Sequence, residues 1–265
     1  MAHGLELTIE GPIARITLDR PEVGNAIDSE MSEALMDIAV ECDEDPAIRC
    51  VVLAGRGRMF CVGGDVVGFR NAGHRLPHYV KDVTGHVHSA ISRFARMQKP
   101  LITAVNGPAA GIGFSLAILG DIVIASPKAS FTLAYSAIGL TPDGGASWLL
   151  PRLVGLRKAQ EILLLNPTIR ADDALSWGLV TRVVPEDDLE EAVNKIAASV
   201  VSSATSALGE ARKLLLASAT TPLETQLELE SRAIAAQSRT AEGREGIAAF
   251  LEKRAPNFTM GDGNE

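Results

Sequence analysis

The stretch Leu101–Ala125, LITAVNGPAAGIGFSLAILGDIVIA, decides the architecture. It opens on a short apolar run, breaks at Asn106, Gly107 and Pro108, and passes Gly111 and Gly113 into a segment that reads as helix. A second apolar strand, Asp121–Ala125, closes it. Strand, glycine-bearing turn, helix and strand in succession mark an α/β fold. Upstream, LELTIEG and IARITLD alternate apolar and polar residues around Gly11–Pro12 and predict a strand hairpin. Asp28 is a candidate N-cap for an amphipathic helix that carries Met31, Leu35, Ile38 and Cys42 on its inner face. Cys50–Gly55 predicts a buried strand, followed by the loop GRGRMFCVGGDVVGF. Between Pro77 and Met97, the spacing of Val80, Val83, Val87, Ile91 and Phe94 predicts a second helix. RADDALSWGLVTRVVP reads as a short helix, a turn and a closing strand. Beyond Glu186 the pattern predicts helices only, over roughly 187–203, 205–218, 222–238 and 240–253. This change puts a domain boundary near residue 200, with a core over 1–200 and a helical region over 201–265.

At 265 residues and 46% hydrophobic content, the chain can bury a sizeable core. Its net charge of -8, with no interleaved basic and aromatic stripe, argues against a nucleic-acid surface; a phosphorylated small ligand needs only a local basic group. No 18-residue apolar run and no basic-then-apolar start is present, so the expectation is a cytoplasmic protein away from membranes. Cys42, Cys50 and Cys61 lack metal-type spacing and read as reduced thiols. Among His74, His78, His86 and His88, only the first two stand four apart, in a segment broken by Pro77, so no metal is expected. GIGFSL lacks the third glycine of a dinucleotide fingerprint, where Leu116 stands, and GFSLA has Ala117 where a nucleophile elbow needs glycine.

Two glycine-bearing turns remain, FCVGGDV (Phe60–Val66) and NGPAAGIG (Asn106–Gly113), each at the end of a predicted strand. Either alone could serve only to permit a tight turn. Together their backbone N–H groups could converge on the developing negative oxygen of an enolate. A third segment, GLTPDGGASWLLPRL, sets Asp143 in a Pro-Asp-Gly-Gly sequence that is also a good turn. Leu140, Trp148, Leu149 and Leu150 could surround its carboxylate with apolar groups and so desolvate it.

Six segments in order resemble the signatures of the enoyl-CoA hydratase/isomerase family, the crotonases. They are NAID (Asn25–Asp28), FCVGGD (Phe60–Asp65), AVNGPAAGIGFSLAILGDIVIA (Ala104–Ala125), GLTPDGGASWLLPRLVG (Gly139–Gly155), ALSWGLVTRVV (Ala174–Val184) and EGREGIAAFLEKRAPNF (Glu242–Phe258). The resemblance implies a spiral of ββα units, a C-terminal helical region used in trimer assembly, and an acyl-CoA substrate whose coenzyme A is the only cofactor-like group. It implies a homotrimer or a dimer of trimers. It places the two oxyanion-binding amides on Gly64 and Ile112, after Gly63 and Gly111; Ile112 stands where glycine is often found. It lays the CoA chain along Ala26, Ile27, Asp65 and Val66, with Lys253 a candidate phosphate or adenine contact that also reads as a solvated lysine.

The two glutamates with which the family's hydratases hold water fall on Ser115 and Tyr135, neither a carboxylate. Asp143 matches the carboxylate position of isomerase-type and dehalogenase-type relatives. The third segment most resembles the phenylacetate-pathway ring-opening isomerases and the enoyl-CoA Δ-isomerases, which points to an acyl-CoA isomerase with Asp143 as acid and base. His88 matches a histidine of the 4-chlorobenzoyl-CoA dehalogenases, where Tyr135 would replace a tryptophan of the pocket. A hydratase, a dehalogenase-like hydrolase and a non-catalytic acyl-CoA-binding paralogue stand as alternatives.

Overall fold

The computed structural model describes residues 3–258. The predicted hairpin is present: β1 (Leu5–Glu10) and β2 (Ile13–Leu18) pair antiparallel, with Glu10 opposite Ile13 across the Gly11–Pro12 turn. Helix α1 (Ser29–Glu44) starts where Asp28 accepts the Met31 N–H at 2.9 Å. After it, β3 (Cys50–Gly55) pairs parallel to β2. The loop read after β3 contains a helix instead, α2 (Val66–Ala72), because Asp65 Oδ1 caps the N–H groups of Val67 and Gly68. Next come α3 (Leu76–Arg96), β4 (Leu101–Val105), the two-residue β5 (Ala109–Ala110), α4 (Ile112–Ala117), β6 (Ile122–Ala125) and β7 (Ser130–Thr132). Then follow α5 (Ala146–Leu165), bent at Gly155, β8 (Ile169–Arg170), α6 (Ala171–Ser176) and β9 (Arg182–Val183). Four helices complete the described chain, at bounds close to those read from the spacing: α7 (Leu189–Val201), α8 (Thr205–Ser218), α9 (Leu223–Gln237) and α10 (Ala241–Glu252).

The main sheet has the order β1-β2-β3-β4-β6-β9 and is parallel except at β1. Alternate residues of its strands face two cores. Val51, Leu53, Leu101 and Val105 pack with α1, α3 and α4, whereas Cys50, Val52, Ile102, Ala104 and Ile124 pack under Leu189, Val193, Ala197 and Val200 of α7. A small second sheet, β5-β7-β8, runs beside the first. Its strands of two or three residues are too short to leave a period in the sequence. Helix α8 is tied to the core by Arg212, whose guanidinium donates to the carbonyls of Phe94, Met97 and Lys99 and pairs with Asp121. The proposed 201–265 region extends beyond the described residues from 259 onward.

Among the described residues no helix is long and apolar enough to cross a membrane, and no cluster of histidine, cysteine, aspartate and glutamate could hold a metal. All three cysteines are free and buried.

Candidate active site

The site is assembled around the two glycine turns. Asn25, fully buried and in a left-handed conformation (φ 59), ties the first of them down. Its side chain accepts the Arg20 N–H at 2.8 Å and donates to the carbonyls of Met59 and Phe60 at 2.9 and 3.0 Å. The sequence showed Asn25 only as the first letter of a motif; its clamping role was missed because the carbonyls it donates to, those of Arg56, Met59 and Phe60, are distant in sequence. Ile27 then bridges the turn, donating to Gly63 O at 2.8 Å and accepting from Asp65 N–H at 2.9 Å. Cys61 O accepts from Ala110 N–H at 2.9 Å, which joins the first turn to the second.

Both turns need glycine. Gly63 (φ 115) and Gly111 (φ 55) lie in backbone regions that side chains resist, and they face each other: a Cβ on Gly111 would sit 3.5 Å from Gly63 Cα. The residues after them, Gly64 and Ile112, both line one cleft of about 390 Å³, a volume suited to a small-molecule site. Neither N–H is taken by a protein acceptor among the described residues. These are the two amides expected to hold an oxyanion. The Ile112 side chain is buried, with its Cδ1 packed at Gly144.

Asp143 lines the same cleft, and among the described residues it is the one carboxylate that does so. Its backbone makes the turn, accepting the Ala146 N–H at 3.2 Å, while its side chain takes no part in capping α5. The turn reading of Pro-Asp-Gly-Gly therefore describes the main chain, and the carboxylate is left facing the cleft. Oδ1 accepts from the Tyr135 hydroxyl, and Oδ2 lies 3.1 Å from His88 Nε2. Burial, then the charge of Asp143, pushes the Tyr135 phenol above its ordinary value, so it stays a proton donor. Ser115, also buried, donates to the Asp143 carbonyl at 2.9 Å. Its hydroxyl is spent on placing the turn.

The expected apolar shell around Asp143 is corrected in part. Leu140 lines the cleft, but Leu150 points into the core and Trp148 is exposed beneath the Arg152 guanidinium, because α5 turns those positions away from the carboxylate. The apolar walls come instead from Phe69 of α2, from Val80, Val83, Thr84 and Val87 of α3, and from Ile138. Val83 and Val87, whose spacing predicted the helix, serve the core and the cleft together.

Of the remaining expected residues, Ile27, Gly63, Val66, Gly111 and Tyr135 line the cleft. Ala26 lies beside them, buried, its carbonyl accepting from Arg20 at 2.7 Å. Asp65 is occupied as the cap of α2. Lys253 ends α10, exposed and outside the residues that line this cleft. His88 stands outside the lining and touches Asp143 from the solvent side, with 47% of its side chain exposed.

A cleft lined by two residues with unengaged amides, by one held carboxylate and by apolar walls agrees with what comparison with known proteins finds. Residues 8–261 match the model of the enoyl-CoA hydratase/isomerase family. The chain is 38% identical over 253 residues to the 1,2-epoxyphenylacetyl-CoA isomerase of Escherichia coli, covering 95% of this chain and 96% of that one. It is also 38% identical over 257 residues to the "probable enoyl-CoA hydratase" of Rhodobacter capsulatus, covering 97% and 98%. An enoyl-CoA hydratase structure from Polaromonas superposes with a TM-score of 0.90 at 34% identity, covering 96% of this chain and 98% of that one. The chain therefore belongs to the enoyl-CoA hydratase/isomerase family, the crotonases, and has their fold.

Proposed function

We propose that the protein is an acyl-CoA isomerase that moves a double bond, or rearranges a ring-bearing acyl group, through an enolate. The observation that carries this reading is the single carboxylate of the cleft, with Ser115 and Tyr135 both engaged as donors to Asp143. Asp143 removes a proton from the acyl chain, the C–H electron pair passes toward the thioester oxygen, and the Gly64 and Ile112 N–H groups stabilise the charge that develops there. The carboxyl group then returns a proton at a second carbon. No water is activated, and the route needs no cofactor beyond the coenzyme A of the substrate. The name of the Escherichia coli relative supports including ring-type acyl-CoA substrates, and the apolar walls suit either a ring or a chain.

Product mass tests the reading. Incubated with a 3-enoyl-CoA, a 1,2-epoxyphenylacetyl-CoA or crotonyl-CoA, the wild type should give a product of unchanged mass from one of the first two. Asp143→Asn should lower turnover about 10²–10⁴-fold, the usual weight of general acid–base catalysis. A product of crotonyl-CoA heavier by one water would establish the hydratase reading instead. The contact between His88 and Asp143 favours one other reading, in which Asp143 displaces chloride from the ring of an aryl-CoA and His88 activates the water that hydrolyses the resulting aryl ester of Asp143. Release of chloride from 4-chlorobenzoyl-CoA would establish it.

The region over 201–265 forms, in this reading, the assembly surface of a homotrimer or a dimer of trimers. Ile234 of α9 and Phe250 of α10 are 73% and 84% exposed, and α9 buries none of its residues against its own chain.

A further inference from the structure

We infer that His88 is a positioning residue that relays the abstracted proton between Asp143 and solvent. The inference rests on the isomerase reading. It begins from an over-subscribed nitrogen: His88 Nε2 lies 3.1 Å from Asp143 Oδ2, and the Gly144 N–H is also directed at it, at 3.1 Å. An imidazole nitrogen either carries a proton or offers one in-plane lone pair. With the ring proton on Nδ1, the one lone pair of Nε2 accepts from Gly144 while Asp143 is ionised, and turns to a proton on Oδ2 when one arrives. With the proton on Nε2, the ring donates to the Asp143 carboxylate and the Gly144 N–H loses its acceptor. A proton that reaches Asp143 can therefore stay on Oδ2 or move to Nε2, and before it arrives the Gly144 amide favours the state in which Nε2 is an acceptor.

The surroundings give the exchange a direction. Tyr135 occupies Oδ1 as a donor, which leaves Oδ2, on the His88 side, as the oxygen that carries a proton. The other ring nitrogen, Nδ1, has no protein partner among the described residues, and the side chain is half exposed. The step balances. The substrate C–H bond breaks, its electron pair moves to the thioester oxygen, and the proton goes to Oδ2. It passes to Nε2 as Nδ1 releases its own proton to water. The reverse transfer delivers a solvent proton to the second carbon. Without His88 the same proton would stay on Asp143 and be returned intramolecularly.

The test is isomerisation in D₂O by the wild type and by His88→Gln, whose amide oxygen can still accept from Gly144 but cannot relay. The wild-type product should carry deuterium at the newly protonated carbon. In His88→Gln the deuterium share should fall, with retained substrate hydrogen rising to match and KM unchanged, since His88 is outside the cleft lining. His88→Asn provides a second variant. In [15N]histidine-labelled wild type, Nε2 should be the unprotonated nitrogen. Equal deuterium in wild type and variants, or Nε2 protonated throughout, would overturn the relay while leaving the isomerase intact. A wild type that shifts no double bond would overturn both.

Discussion

Gly113→Ala is the sharpest probe of how the site is held. A Cβ on Gly113 would lie 2.2 Å from Cys61 O and 2.7 and 2.8 Å from Cys61 Cβ and C. The nearest obstacle is a main-chain carbonyl engaged by the Ala110 N–H, so no side chain can swing aside. To reach an ordinary contact, the start of α4 must withdraw from the first turn by roughly 1 Å, in an interior packed too densely to absorb it locally. Ile112, the residue before Gly113, moves with it, and the two amides no longer converge on one oxygen. A misplacement of about 1 Å costs on the order of 10²-fold in rate, or about 3 kcal/mol of barrier. The same overpacking should cost about 1–3 kcal/mol of stability, a fall in Tm of roughly 2–12 °C. The assay is kcat/KM on the acyl-CoA that the wild type isomerises, alongside thermal unfolding. Gly85→Ala on α3 is the control: its new methyl meets open space, so activity should hold while stability rises by about 0.5–1 kcal/mol. Wild-type kcat/KM in Gly113→Ala would refute the argument that turn-to-turn spacing sets the site.

Alkaline stability should report the buried thiols. Burial is the main cause that pushes Cys42, Cys50 and Cys61 each up from 9.0 to about 12, so the fold keeps them neutral. Their contribution is complete below pH 9 and is lost as pH rises toward 12, because the unfolded thiols ionise first; each should cost about 1.4 kcal/mol per pH unit in that window. Urea melts between pH 8 and 11 would show this, and a flat profile above pH 9 would contradict it. For assembly, Phe250→Glu combined with Ile234→Glu should shift the native mass by light scattering from a multiple of three chains toward one. An unchanged oligomer would place the interface elsewhere.

The parts of the fold legible in the sequence are those whose side chains answer to their own chain. The hairpin, α1, β3 and β4 were readable because one or both faces are buried by neighbouring elements, which imposes a period. Helices α7 to α10 were readable from spacing of the same kind. Helix α5 was not assigned: Pro151 and Gly155 interrupt it, Gly155 adopts φ 76, and Leu156, Leu164 and Leu165 are exposed, which blurs any single apolar face. The cleft was legible in its glycines and in Asp143, which the sequence singled out and the fold brings to one lining, because the turns restrict the residue type. The grip on Asp143 was not, because Tyr135, Ser115 and His88 come from a single 3-10 turn, α4 and α3, and only the fold brings them to one carboxyl group.

That grip also bears on the choice of reaction. Adding water across a double bond requires a molecule of water held between an acceptor that orients it and a donor that protonates the adjacent carbon. Ser115, at one of the two positions where the resemblance would put such a group, is buried with its hydroxyl directed at the Asp143 carbonyl. Tyr135, at the other, is turned onto Oδ1 and kept protonated by its burial. Both positions therefore serve Asp143 instead of a water molecule, one placing its main chain and the other its carboxylate. A carboxyl group held in this way loses little freedom as a proton arrives and departs, which is the requirement of a group that must be base and acid within one turnover. On the proposed isomerase reading, the two positions that would distinguish a hydratase support the single carboxylate that the reaction needs.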